Sequence, residues 1–98
     1  MKALLLLMAV ITLNLQAQDN TTSLRGTVVD GKSREPVPYA SVYIKGKSVG
    51  TATNEEGKFV FHVNSGFLND TLIVSVIGYS HFKSLVRHMA VKENNIEL

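Results

Sequence analysis

The sequence of 98 residues predicts an all-β fold, built as a sandwich or a barrel. From residue 24 onward, short runs rich in β-branched and aromatic residues are separated by clusters of turn residues, which is the pattern of an all-β domain. About seven such runs recur at spacings of about 8 to 12 residues. The predicted strands are Leu24–Val29, Tyr39–Ile44, Val49–Thr53, Phe59–Val63, Thr71–Ile77, His81–Val86 and Asn95–Leu98.

The segment before these strands, residues 1–17, has a residue pattern that predicts export. Lys2 is followed by a nearly uninterrupted apolar run that ends near Leu15, and small Ala17 suits the position before a cleavage. The run is shorter than the roughly 20 apolar residues that span a bilayer. We expect a signal peptide over residues 1–17 and a flexible lead-in over 18–23, followed by one domain over 24–98. A buried core helix and a retained membrane anchor are the alternatives for residues 1–17.

The first two strands are defined by their residue types and by what separates them. Gly26 within the first run predicts a bulge or a close backbone approach. Residues 30–38 contain Asp-Gly and two prolines, which remove ladder donors, so this segment is a connection. The second run alternates strictly, which indicates a half-buried strand. One face carries Ala40, Val42 and Ile44, and the other carries Tyr39, Ser41 and Tyr43.

The remaining runs complete the predicted sandwich. Gly57 is expected at a positive φ in the turn before Phe59. Residues 71–77 are the most apolar stretch after the signal, which suits a central strand covered on both faces. Residues 87–93 could make a turn of helix, but they lie between two predicted strands without a wide apolar stripe, so we expect a loop. The predicted core residues are Val28, Val42, Ile44, Phe59, Phe61, Leu72, Val74 and Val76.

Composition excludes several classes of protein. The absence of cysteine excludes disulfides and a lipid-modified cysteine. Without Lys2, nine basic residues balance eight acidic ones. A net charge of +1 argues against nucleic acid as a partner, since phosphate binding needs a clustered basic face.

Four segments in order resemble the carboxypeptidase regulatory-like domain. They are 24–30 (LRGTVVD), 35–46 (EPVPYASVYIKG), 49–59 (VGTATNEEGKF) and 74–79 (VSVIGY). The resemblance implies a seven-stranded, transthyretin-like (prealbumin-like) sandwich over residues 24–98. Such domains lie beside the catalytic domain of some carboxypeptidases and at the N-terminus of many TonB-dependent outer-membrane receptors of Gram-negative bacteria. The family implies no chemistry of its own.

The residues themselves predict no catalytic, metal or cofactor site. The three histidines lack a ligand-pair spacing, although His62 and His81 could lie on neighbouring strands. The strand serines lack the sharp turn that exposes a nucleophile, and the acidic turn at Glu55 and Glu56 has too few spaced oxygen ligands for calcium. We therefore expect no enzyme.

Two outward tyrosines are the candidate binding residues. Tyr39 and Tyr43 share the polar face of their predicted strand and could form a docking surface. The more ordinary interpretation is that they pack across neighbouring strands as aromatic pairs.

Three functions follow as hypotheses. The first is a non-catalytic module of the cell envelope, in the periplasm or at the outer membrane. It would contact an envelope protein such as an outer-membrane receptor, through a sheet edge or through Tyr39 and Tyr43, with no transmembrane span in the mature chain. The second is the N-terminal extension domain of a truncated TonB-dependent receptor for nutrient uptake, the chain being a fragment or a truncated reading frame. A full receptor would continue beyond Leu98 into a plug and a barrel. The third is a module that binds carbohydrate or a small ligand, which the absence of tryptophan disfavours.

Overall fold

The computed structural model describes residues 20–90 and 92–98, and these form two β-sheets packed face to face. The predicted signal peptide, with its cleavage after Ala17, lies outside the described residues, as do Gln18 and Asp19 of the predicted lead-in. The described strands are β1 Thr21–Val29, β2 Ser41–Ile44, β3 Gly50–Ala52, β4 Lys58–Asn64, β5 Thr71–Ser75, β6 Phe82–Leu85 and β7 Glu93–Glu97.

The strands divide into a three-stranded and a four-stranded sheet. The first has the order β4-β1-β7 and the second has the order β3-β2-β5-β6. Strand β1 pairs antiparallel with β4 and parallel with β7, whereas all pairs in the second sheet are antiparallel. This arrangement confirms the predicted seven-stranded sandwich.

The core lies between the sheets and is supplied by alternate residues of the strands. Seven of the eight predicted core residues are buried, and Val76 is half-buried against the core. Each fully buried aliphatic or aromatic side chain stabilises the fold by about 1.5 to 3 kcal/mol before entropy is counted. The core also includes Leu24, Val37, Ala40, Val63, Val86, Met89 and Ile96.

Strand β1 begins three residues before the predicted strand. Thr21 to Ser23 pair with residues 62–64 of β4, with Ser23 opposite His62. Residues 21–23 of the predicted lead-in are therefore part of the sheet.

Strand β5 ends earlier than predicted. The strand stops at Ser75, and the Tyr79 N–H donates to the Val76 carbonyl oxygen at 3.2 Å to form a turn. Leu72, Ile73 and Val74 are buried, so the expectation of a strand covered on both faces is met there. Ile77, placed in the strand by the sequence, is instead fully exposed in the turn.

The segment predicted as a loop over residues 87–93 includes part of a helical turn, so that prediction was wrong for its first residues. Helix α1 spans Val86–Met89. Val86 and Met89, three residues apart, are buried on one side, and Arg87 and His88 are exposed on the other. One helical turn is enough for this pattern, which is too short to produce a wide apolar stripe in the sequence.

Two glycines meet the requirements expected of them. Gly57 has φ of 75°, and a Cβ there would lie 2.5 Å from the Val28 carbonyl oxygen. A Cβ at Gly26 would lie 2.8 Å from the Phe59 ring. Gly26 is thus a site of close approach, as predicted, because the buried Phe59 ring occupies the space a side chain would need.

Candidate functional site

Two large hydrophobic side chains are exposed together at one end of the four-stranded sheet. Tyr39 is 66% exposed and Ile77 is completely exposed. They border a cavity of about 400 Å³ that lies on the outer face of the sheet. We call this surface the Tyr39–Ile77 patch; the residues that line it are Tyr39, Ser41, Ser75, Val76, Ile77 and His81.

Tyr39 is held in an unusual backbone conformation. Its φ of 58° lies in the left-handed region, which tyrosine rarely adopts. The Tyr39 N–H donates to the Thr53 carbonyl oxygen at 3.0 Å, and its phenol donates to Oε1 of Glu55 at 3.3 Å. A strained conformation persists only where its surroundings fix it, and such residues cluster at functional sites.

Buried Thr53 fixes the backbone on both sides of Tyr39. Its hydroxyl donates to the Val37 carbonyl oxygen and accepts from the Ala40 N–H, both at 2.8 Å. The Thr53 side chain is 2% exposed, so these hydrogen bonds are shielded from water. The position of Tyr39 therefore depends on Thr53, which the sequence predicted only as the last residue of a short strand.

Tyr43 is placed differently from Tyr39. Strand β2 begins only at Ser41, so the alternation predicted from Tyr39 onward does not include that residue. Tyr43 is half-buried, with Gly50 and Ile73 opposite it on the neighbouring strands. It shares the outer face with Ser41 but does not line the cavity.

A partly buried hydrogen bond between Tyr79 and Asp30 anchors the turn that carries Ile77. Tyr79 donates its phenol hydrogen to Oδ2 of Asp30 at 2.8 Å. Oδ1 of Asp30 accepts from the backbone N–H groups of Lys32 and Ser33 at 2.8 and 2.9 Å. The hydrogen bonds to Asp30 lower its pKa to about 2; the one from the Ser33 N–H has the largest effect, and the one from Tyr79 the second largest. The β1–β2 connection and the β5–β6 turn are thereby joined at the patch end of the molecule.

The histidines do not converge. His62 lies on β4, with Nδ1 2.8 Å from the Ser23 hydroxyl, whereas His81 lies beside β6 in the other sheet. The possibility that these two lie on neighbouring strands is not realised, because the chain crosses between sheets after β4, and both side chains are exposed. His88 is exposed on α1. Across residues 20–90 and 92–98, no three His, Cys, Asp or Glu side chains could hold a metal ion.

The positions of the serine and histidine side chains limit the reactions that the patch could catalyse. Ser41 and Ser75 line the cavity with His81, but no hydrogen bond joins a serine hydroxyl to that imidazole within the described part of the chain. The Asn54 side chain accepts from the N–H groups of Glu56 and Lys58, so it stabilises the acidic turn. Tyr39 is the one tyrosine, phenylalanine or tryptophan among the cavity-lining residues described, which gives a sugar ring a single stacking partner of these types.

Sequence reasoning missed Ile77 and His81 as neighbours of Tyr39. The available signal was Gly78, since a glycine directly after an apolar run indicates a turn that can expose the last residue of the run. Gly78 has φ of 94°. Placing the turn one residue earlier would have put Ile77 at its tip.

The two-sheet sandwich is the class of fold that the structure defines, and comparison with known proteins gives its family. Residues 24–98 match the family described as CarboxypepD_reg-like domain, and the chain belongs to that family. The resemblance seen in the four sequence segments is thus confirmed.

One curated relative is a TonB-dependent receptor. The chain is 38% identical over 78 residues to TonB-dependent receptor SusC of Bacteroides thetaiotaomicron. The match covers 80% of this chain and 7% of the receptor, so the chain spans a small fraction of that relative's length. No solved structure matches the chain. Among the described residues there is no helix of sufficient length and apolarity to cross a membrane.

Proposed function

We propose that the chain is a non-catalytic interaction module of the cell envelope that works in association with a TonB-dependent receptor. The observation that carries the proposal is the 38% identity to such a receptor over 80% of this chain. Residues 1–17 have the pattern of a secretory signal, which supports export to the periplasm or to the outer membrane.

The module binds its protein partner through the Tyr39–Ile77 patch, with Tyr43 on the same outer face. An exposed tyrosine and a fully exposed isoleucine beside a cavity of about 400 Å³ are the kind of aromatic and aliphatic anchors that dominate protein interfaces. The left-handed backbone at Tyr39 supports a binding role for this residue, since strained residues cluster at functional sites.

The test is photocrosslinking in cells of the organism that makes the protein. A photoreactive phenylalanine analogue is placed at position 77 in the patch, and in a control chain at position 60. Val60 is a β-branched aliphatic residue that is 50% exposed on the outer face of the other sheet, so it is a solvent-accessible control of similar residue type outside the patch. We expect position 77 to crosslink to an outer-membrane receptor identified by mass spectrometry, and position 60 to give no such adduct. Equal adducts from both positions, or none from position 77, would contradict the proposal.

A second candidate is that the module is the N-terminal extension domain of a longer receptor polypeptide. The observation in its favour is that the curated relative is far longer than the matched segment. The DNA that follows the codon for Leu98 decides between the two: a continuous reading frame into a receptor supports the second candidate, and a stop codon supports a separate module. In the second case the crosslink from position 77 would fall within the same polypeptide.

A further inference from the structure

Strand β7 has an open edge. Its one strand neighbour among the described residues is β1. Leu98, directly after β7, donates its N–H to the Val29 carbonyl oxygen at 3.0 Å and accepts from the Gly31 N–H at 2.9 Å. The peptide groups of Leu98 therefore point toward β1.

This direction fixes which residues of β7 face outward from the sheet edge. Peptide groups alternate in direction with a period of two along a strand. Because Leu98 points toward β1, the N–H and C=O groups of Glu93, Asn95 and Glu97 point away from it. Strand β7 thus presents three residues whose main chain can pair with a further strand.

A groove with an apolar floor and a polar rim lies beside this edge; the polar lining residues are Ser84, His88, Lys92, Glu93, Asn94 and Asn95. A cavity of about 270 Å³ opens between the two sheets, with Phe82 and Ser84 of β6 on one side and Ile96 of β7 on the other. Met89 of α1 also lines the cavity, and both Met89 and Ile96 are buried core residues. A strand paired with β7 would place every second side chain over this groove.

The outer face of the same edge carries two carboxylates, and Arg25 of β1 lies opposite the first of them, Glu93. The residues of this face are Glu93, Asn95 and Glu97, which are all exposed. Glu97 forms an ion pair with Arg34, whereas Glu93 makes no ion pair within the described residues. Strand β6, the edge strand of the other sheet on the same side of the molecule, has Lys83 instead, and lysine on an edge strand discourages pairing.

We propose that β7 accepts an extended segment of another polypeptide as an added strand. The segment has apolar side chains facing the groove and a lysine or arginine beside Glu93. Main-chain hydrogen bonds supply affinity in this mode of binding, and the side chains on the two faces supply specificity. A second copy of the chain fits poorly, because antiparallel pairing of two β7 strands about Asn95 would bring Glu93 against Glu97. The proposal does not depend on receptor association or on the Tyr39–Ile77 patch.

Amide hydrogen exchange on the purified chain tests the proposal, with a blocked nine-residue peptide of alternating valine and lysine as the probe. Without peptide, we expect the amides of Asn95 and Glu97 to exchange fast and that of Ile96 to exchange slowly. With saturating peptide, exchange at Asn95 and Glu97 slows by about tenfold or more, as for newly hydrogen-bonded amides. A peptide of alternating valine and glutamate serves as the control and leaves both amides fast. Unchanged exchange at Asn95 and Glu97 with the lysine peptide would overturn the proposal.

Variants of the edge sharpen the test. Asn95→Pro removes an edge N–H that makes no bond to β1, so the sheet is retained and peptide binding is lost. Glu93→Lys weakens peptide binding about fivefold, the effect of a cross-strand charge pair. Glu56→Lys, a matched charge reversal in the exposed turn before β4, leaves binding unchanged. Equal peptide binding by Glu93→Lys and Glu56→Lys would overturn the proposal. It would also be overturned if raising the protein concentration without peptide slowed exchange of the edge amides, because the occupant would then be a second copy of the chain.

Discussion

At the scale of single residues, the hydrogen bond between Asp30 and Tyr79 couples the patch end of the molecule to pH. The folded state lowers the pKa of Asp30 from 3.8 to about 2, through its hydrogen bonds to the Ser33 N–H, to Tyr79 and to the Lys32 N–H. A lowered carboxyl pKa means that the ionised form stabilises the fold. This contribution is present above pH 3.8 and is lost as pH falls toward 2. The same hydrogen bond raises the pKa of Tyr79 above its usual 10.0, so the contribution of the neutral phenol is lost as pH rises past that value.

Replacement of Tyr79 by phenylalanine tests this coupling. We expect Tyr79→Phe to raise the pKa of Asp30 from about 2 toward 3.8 and to lower stability at pH 6. The stability difference from the wild type should shrink as pH falls toward 2, because protonated Asp30 no longer favours the ionic hydrogen bond. Carboxyl NMR titration and urea unfolding at several pH values measure both effects. Tyr43→Phe is the control, and an Asp30 pKa that is the same in all three proteins would contradict the prediction.

Thr53 gives a second prediction at this scale. Thr53→Val keeps the shape of the side chain but leaves the Val37 carbonyl and the Ala40 N–H without a partner. Each unsatisfied buried group costs about 1 to 3 kcal/mol, so we expect a loss of about 2 to 4 kcal/mol in the free energy of unfolding. Thr53→Ser retains the hydroxyl and should lose only about 1 kcal/mol, the contribution of one methyl group. Chemical denaturation compares the two variants, and a valine variant as stable as the serine variant would show that these hydrogen bonds contribute little.

At the scale of elements, Asn94 joins helix α1 to strands β1 and β7. Its side-chain amide donates to the carbonyl oxygens of Arg25, Met89 and Lys92 at 2.8, 3.1 and 3.0 Å. The Met89 oxygen belongs to the last residue of α1, so the bond satisfies a carbonyl that the short helix cannot pair itself. One asparagine thus connects three segments that the sequence pattern treated as separate.

Replacement of the Asn94 amide by a carboxylate should break the hydrogen bonds that join α1, β1 and β7. Asn94→Asp would place a negative oxygen against three carbonyl oxygens in a site that is 7% exposed. We expect a loss of about 3 kcal/mol or more at pH 7, the usual cost of an unpaired buried charge. Asn95→Asp is the matched control, because Asn95 is exposed on the next position of β7. Thermal unfolding of the two proteins measures the effect, and equal melting temperatures would contradict it.

The strength of sequence-based prediction also differs between elements. Strands with an alternating pattern, such as β4, were predicted closely because every second residue is buried along its length. Bounds were less accurate where tertiary contacts decide them. Thr21 to Ser23 are polar and joined β1 only through pairing with β4, and α1 formed because two residues three apart reach the core.

At the scale of the whole molecule, the fold was predictable and the candidate site was predictable only in part. Burial of alternate residues in two sheets follows from the sequence itself, as does the family resemblance. The patch depends on features that a sequence pattern does not contain. The φ of Tyr39 is set by Thr53 from another strand, and the exposure of Ile77 is set by where β5 ends. Tyr39 was identified as a candidate, whereas its neighbours required the structure.

The difference in burial between the core and the patch can be measured through the free energy of unfolding of variants. Phe61 is 5% exposed within the core, so Phe61→Ala should lower the free energy of unfolding by about 3 to 5 kcal/mol. Ile77→Ala removes a side chain that is fully exposed and should change stability by no more than about 0.5 kcal/mol. Both values come from urea unfolding at neutral pH. An unchanged midpoint for Phe61→Ala would show that the two sheets do not share one dry interior.

A stable patch variant then allows binding to be separated from folding. Tyr39→Ala removes an exposed aromatic anchor from the patch, and Tyr43→Ala removes a half-buried side chain from the adjoining part of the outer face. Aromatic anchors at the centre of an interface typically contribute about 2 kcal/mol or more, so we expect Tyr39→Ala to reduce co-purification of the envelope partner about thirtyfold. Tyr43 lies outside the cavity lining, and we expect Tyr43→Ala to reduce it less. Affinity purification from envelope extract with quantitative mass spectrometry gives both ratios, provided that thermal unfolding shows both variants folded. Retention of the same partners by the protein carrying both substitutions would remove the tyrosines from the binding surface.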